Sequence, residues 1–204
     1  MMSNEESWIV KTYVDELLNF IIFTGCMFDL IDNENFDENN KPWPRNLYNS
    51  NNLKDKEKLR LQWKSWFNEV INKRATKDNK LYKMCNFVHE EYNIDNFLEL
   101  NHIELREYCK ISYPHFMEWW YMQAGGHDAM SYYESILNNN IYECIEELEC
   151  KLNRKSKPFI LYIDLVYTGV IDVLDVNNNY IVATSHGYFN LSKSWWISKL
   201  NSLL

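Results

Sequence analysis

Two hydrophobic periods run along the chain, and the change between them near Pro158 divides it. Before that point apolar residues recur at helical spacing. Val10, Val14, Leu17 and Ile21 fall at i, i+4, i+7 and i+11 behind a Ser3-Asn4-Glu5-Glu6 capping box, predicting a helix that ends near Gly25. Leu59, Trp63, Trp66, Phe67 and Val70 predict a strong amphipathic helix over residues 54–73. Leu81, Met84, Cys85 and Val88 mark another, and residues 102–109 a third. Ser112-Tyr113-Pro114 reads as a new helix start, with Ser as cap and Pro in the first turn. Phe116 and Trp120 are its i, i+4 pair and Gly125-Gly126 its stop. Asp128 then caps a helix through Tyr133 and Leu137, and Ile141, Ile145, Leu148 and Leu152 form a last stripe.

After Pro158 the period is two. Phe159, Leu161, Ile163, Leu165 and Tyr167 alternate with Ile160, Tyr162, Asp164 and Val166. Both faces are mostly apolar, which predicts a central, covered strand. Thr168-Gly169 and Asn177-Asn178-Asn179 read as turns around a second strand over 170–176, with a third over 180–185. A terminal helix from Ser192 or Ser194 carries Trp196, Leu200 and Leu203. The expected fold is therefore α+β and mainly helical. About seven N-terminal helices (1–157) pack on a small C-terminal antiparallel three-stranded meander that ends in a helix (158–204), and the whole of 1–204 is one domain.

Composition refines this picture. The 204 residues are 46% hydrophobic and 25% charged, the profile of a globular protein rather than a disordered one. Only 5 Gly and 4 Pro favour long helices. The longest charge-free apolar run near the N-terminus, residues 17–28, falls short of the ~20 needed to span a bilayer. The five Cys (26, 85, 109, 144 and 150) contain no C-x-x-C pair and read as reduced, mostly buried thiols of a cytoplasmic protein. One long irregular connection, 29–52, sets Trp43 between Pro42 and Pro44, a semi-rigid aromatic that packs down as a lid or faces a partner.

The net charge of −8 hides a pattern: residues 54–83 carry +6 and residues 84–150 carry −11. The cations Lys54, Lys56, Lys58, Arg60, Lys64, Lys73 and Arg74 scatter around the polar side of their helix instead of forming one stripe. With the excess of acid, this argues against nucleic acid as a partner.

The chain holds no Gly-rich phosphate cradle, no G-x-S-x-G elbow, no H-E-x-x-H and no EF-hand loop. No two of His89, His102, His115, His127 and His186 lie at i, i+3 or i+4, so neither a metal nor a cofactor is expected. Two His/Asp pairs are the candidates if the chain is an enzyme. His127 and Asp128 sit beside the double glycine at a helix start, where N–H groups can meet an anion. Asp172 and His186 fall one diagonal step apart on one sheet face if Val176 pairs with Tyr180. Trp43, Trp119 and Trp195 are the candidate binding residues. Adjacent helical residues point ~100° apart, so Trp120 and Trp196 turn inward while Trp119 and Trp195 flank the core or reach the surface.

This small, acidic, Trp-rich α+β character is similar to that of many bacterial immunity and antitoxin proteins, a likeness of composition that carries over no residue. It implies a non-enzymatic protein-binding module, in which the acidic residues of 84–150 and the flanking aromatics steer a basic protein partner. The alternative is a hydrolase of no recognisable family built on one His/Asp pair, and the third reading is a structural protein whose aromatics form a homodimer interface.

Overall fold

The computed structural model describes residues 8–32, 42–44, 55–76, 87–135, 140–170 and 173–203. The first described element is a strand, not the helix that the 10-14-17-21 spacing predicts. Trp8–Val14 (β1) is dense in aromatic and β-branched side chains, which favour a pleated ribbon. Helix α1 (Glu16–Met27) begins only after Asp15, whose carboxylate accepts the Leu18 N–H at 2.7 Å. The Ser3 capping box lies outside the described residues. Every residue of α1 is buried, the mark of a helix enclosed on all sides.

Helix α2 (Lys56–Thr76) lies close to its predicted span. It packs on α1 through Trp63, whose indole Nε1 donates to the Ile21 carbonyl at 2.8 Å. Gly25 makes that approach possible, because a Cβ there would stand 2.5 Å from the Trp63 ring. Helix α3 (Val88–Glu91) is one turn; most of the helix predicted from Leu81 lies outside the described residues. Helix α4 (Ile103–Tyr121) then corrects the reading of Pro114 as a helix start, since one helix runs through it. The reason is packing. Leu105, Cys109, Ser112, Phe116 and Trp120 form one unbroken buried stripe, and the Ser112 and Thr24 hydroxyls share a hydrogen bond of 2.8 Å against α1. Burial along about four turns outweighs the bond the proline removes. Helices α5 (Gly126–Ser135) and α6 (Asn140–Leu152) follow, the latter burying Ile141, Ile145 and Leu148.

Among the described residues, strands β2 (Phe159–Val166), β3 (Val173–Asn177) and β4 (Tyr180–Thr184) join β1 in a four-stranded sheet of order β1-β2-β4-β3. β1 and β4 both run parallel to β2, and β3 is antiparallel to β4. The predicted three-stranded antiparallel meander is thus corrected to a four-stranded mixed sheet. The Asn177–Asn179 turn does make a hairpin. Thr168-Gly169 does not, because Gly169, at φ 84°, packs against Ile22 of α1 and β3 does not pair with β2. The chain therefore leaves β2 over α1 and returns as an outer hairpin. Two helices close the chain: α7 (Ser185–Phe189), which the sequence reading lacks, and α8 (Lys193–Asn201), capped by Ser192. Among the described residues the fold is α+β with eight helices, six of them before β2.

A buried charge joins these layers. Arg74 of α2 bridges Asp164 of β2 through Nε (2.6 Å) and Nη2 (2.8 Å), and Asp15 at the end of β1 through Nη1 (2.7 Å). The Tyr180 hydroxyl of β4 donates to Asp164 at 2.6 Å. Both aspartates are fully buried. Burial works against the guanidinium charge, but Asp164 and Asp15 outweigh it and hold Arg74 protonated.

Replacing Arg74 with Met leaves two carboxylates buried without their cation and lowers unfolding free energy by about 3–5 kcal/mol in denaturant melts. Gly25→Ala drives a methyl into the Trp63 indole and costs about 1–3 kcal/mol in the same assay.

Candidate functional site

Each Trp-Trp pair divides as helical geometry requires: Trp120 and Trp196 are buried, Trp119 and Trp195 half-buried. Two of the three tryptophans singled out from sequence meet. Trp43, Trp119 and Tyr167 pack with ring centroids 4.7, 5.7 and 5.1 Å apart, over Phe23. The Trp43 N–H donates to the Thr168 hydroxyl at 3.3 Å. These rings touch one another, so no cation fits between them; they form an aromatic surface, not a cage. Trp195 stands apart on α8, edge-on to Trp196.

The His/Asp pairs fare differently. His127 Nδ1 and Asp128 Oδ1 lie 3.8 Å apart, beyond a hydrogen bond. Asp128 instead accepts the Ala124 N–H at 3.1 Å, and the His127 ring stacks on Tyr121. Asp172 lies outside the described residues. His186 is in α7, where its ring meets the Asn190 amide, so its expected place on the sheet face is corrected. The expected Val176–Tyr180 pairing is corrected too: a bulge sets Asn177 opposite Tyr180.

The two charge blocks do meet. Lys58 pairs with Glu104 and Lys73 with Glu91 (3.1 Å), both carboxylates from the acidic block. Lys56 pairs with Asp29 and Arg60 with Asp32 (3.0 Å) in the N-terminal third, and Arg74 is committed to the core. His102 completes the seam against Glu69 at 3.1 Å. The cations of α2 are thus largely spent inside the molecule. Exposed carboxylates remain elsewhere: Asp95, Glu143 and Glu146 form no ion pair among the described residues. Glu143 and Glu146 share the outer side of α6 with Tyr142, half-exposed and edge-on to Trp8.

One cleft opens beside this seam, between α2 and residues 91–101, with a volume of about 150 Å³. Leu17, Trp66, Val70, Tyr92 and Leu100 form its apolar side, with Arg74 at the base. Glu69, Glu91 and Glu99 supply carboxylates, and Lys73 reaches across to Glu91. The Asn93 backbone N–H holds the Glu99 carboxyl below its ordinary range. Burial raises the Tyr92 hydroxyl, partly offset by the Trp66 indole that donates to it at 2.9 Å. Above Arg74 the polar lining is thus made of carboxylates, one ammonium, one phenol and the Asn101 amide.

None of the cleft's acidic residues stands out in the sequence. The one available signal is Arg74 itself. It falls on the apolar stripe 59-63-66-70, one step beyond Val70, and Asp164 interrupts an apolar strand. A lone cation and a lone carboxylate on two buried faces ask for each other. No family model, curated protein or solved structure matches this chain. Among the described residues no helix is long and apolar enough to cross a membrane, and no group of three or more His, Cys, Asp and Glu side chains could hold a metal ion.

Glu104 accepts from both Lys58 and Gln62, and those bonds pull its carboxyl down to about 2. Its contribution to stability is present above the ordinary carboxylate range and fades as pH falls toward 2. A carboxyl-carbon NMR titration should place Glu104 well below the ordinary carboxylate range, and Lys58→Met should move it back up.

Proposed function

We propose that this protein is a non-enzymatic binding module for a basic protein partner, immunity- or antitoxin-like in its mode of action. The observation that supports it is the fate of the α2 cations. Because Lys56, Lys58, Arg60, Lys73 and Arg74 are engaged internally, the excess of acid is left facing solvent on α6 and on residues 91–101. Such a surface raises the encounter rate with a positively charged partner and repels nucleic acid. The half-exposed Trp43, Tyr167 and Tyr142 lie ready to supply the apolar contact that gives such an encounter a lifetime. The buried thiols Cys26, Cys109 and Cys144 fit a reducing, cytoplasmic setting. The His127–Asp128 geometry gives the hydrolase alternative no support.

The test is affinity capture with the tagged chain at low and moderate salt, read by mass spectrometry. Expected is one stoichiometric basic protein that is lost as salt rises. A triple Asp95→Lys, Glu143→Lys, Glu146→Lys variant should capture it at least about tenfold less well. A captured protein indifferent to that charge reversal overturns the proposal.

A further inference from the structure

We infer that the cleft between α2 and residues 91–101 receives one arginine side chain of the basic partner, an assignment that rests on the binding reading above. Size comes first. At about 150 Å³ the cleft has half or less of the ~300–1,000 Å³ of a small-molecule or cofactor site. That is the scale of one long side chain entering from outside.

Its chemistry is two-sided, as an arginine requires. Tyr92, half-buried at the cleft, offers aromatic surface for the methylenes and for the flat guanidinium, and the buried Trp66 backs it at 84° and holds its hydroxyl. The carboxylates offer acceptors that the fold leaves over. Glu69 receives both Ser65 and His102 on Oε1, and its Oε2 has no hydrogen bond among the described residues. Glu91 meets Lys73 through Oε2, with Oε1 likewise without a hydrogen bond. Arg74 at the base does not repel a cation, because Asp15 and Asp164 already answer its charge.

The same geometry rejects the other cations. The three carboxylates do not gather as a metal-holding group, so a broad, delocalised ion suits them better than a compact divalent one. A guanidinium is more weakly hydrated than an ammonium and stacks on aromatic faces, which selects arginine over lysine. Lys73 holds the place meanwhile: its ammonium lies on Glu91 across the mouth, where the incoming guanidinium displaces it.

The experiment titrates the full chain with N-acetyl-arginine methylamide and with the lysine and citrulline counterparts, following the Trp66 indole N–H by NMR. Expected is a saturable shift with the arginine compound, about tenfold weaker binding of the lysine one and no response to neutral citrulline. Glu69→Gln should weaken binding about tenfold, Lys73→Met should tighten it by releasing Glu91, and Lys155→Gln, an exposed residue outside the lining, should change nothing. Thermal melts confirm that each variant is folded, and Glu99→Gln serves if Glu69→Gln is not. An equal response to citrulline, no response to arginine, or tighter binding absent in Lys73→Met overturns the inference. If the captured partner is still lost with salt but binds a Glu69→Gln, Glu99→Gln variant with unchanged affinity, the cleft assignment fails while the acidic-surface reading stands. If no salt-sensitive basic partner is captured although the arginine compound binds, the failure lies with that reading.

Discussion

The Arg74 guanidinium, held between Asp15 and Asp164, is the constraint on which the arrangement of layers depends. A charge moved into a protein interior alone costs several kcal/mol even after relaxation, so each member of the trio must find the others in register. Asp15 also caps α1, and Asp164 also takes the Tyr180 hydroxyl. Two strands, the sheet's inner hairpin partner and the long helix α2 are thereby tied at one point. The position of Arg74 on α2 sets the positions of its neighbours one turn back and one residue before. Glu69, Val70 and Lys73 are presented as one wall of the cleft because Arg74 is anchored beneath them. An interior ion network thus fixes an exterior surface.

The distribution of charge follows from the same helix. α2 holds most of the cations of the basic block, yet Lys56, Lys58, Arg60 and Lys73 reach across to Asp29, Glu104, Asp32 and Glu91. Exposed pairs of this kind add little stability singly. Their larger effect is on what the molecule shows to solvent, since they neutralise the basic block and leave the acidic one in excess.

Much of this was legible in the sequence where one period spoke alone. The stripes of α2 and α6, the doubly apolar β2 and the Ser192 cap of α8 lie close to where their spacing puts them. The failures fall where two signals overlap. In the first strand, Val10 and Val14 satisfy a helical spacing while Trp8, Val10, Thr12 and Val14 satisfy an alternating one, and only pairing with β2 decides between them. Pro114 carries the local signature of a helix start, but the stripe from Leu105 to Trp120 is a property of the packed pair α1–α4. Turn residues report that β3 and β4 are adjacent; they hold no information on which of the two lies against β2. The cleft was hidden for a similar reason. Its walls come from residues 66–74 and 91–101, and no linear pattern announces that two polar segments will face each other.

The pairing of β1 with β2 reaches beyond the folded state. Trp8 finds its ladder partner only in Phe159. At a synthesis rate of roughly 5–20 residues per second, the first strand emerges on the order of 8–30 s before its mate. Through that interval the nascent chain carries an apolar ribbon with no neighbour, and Arg74 can reach only one of its two carboxylates. The −11 block of residues 84–150 leaves the ribosome before β2 does. The chain is therefore rich in negative charge during the interval in which the ribbon is unpaired.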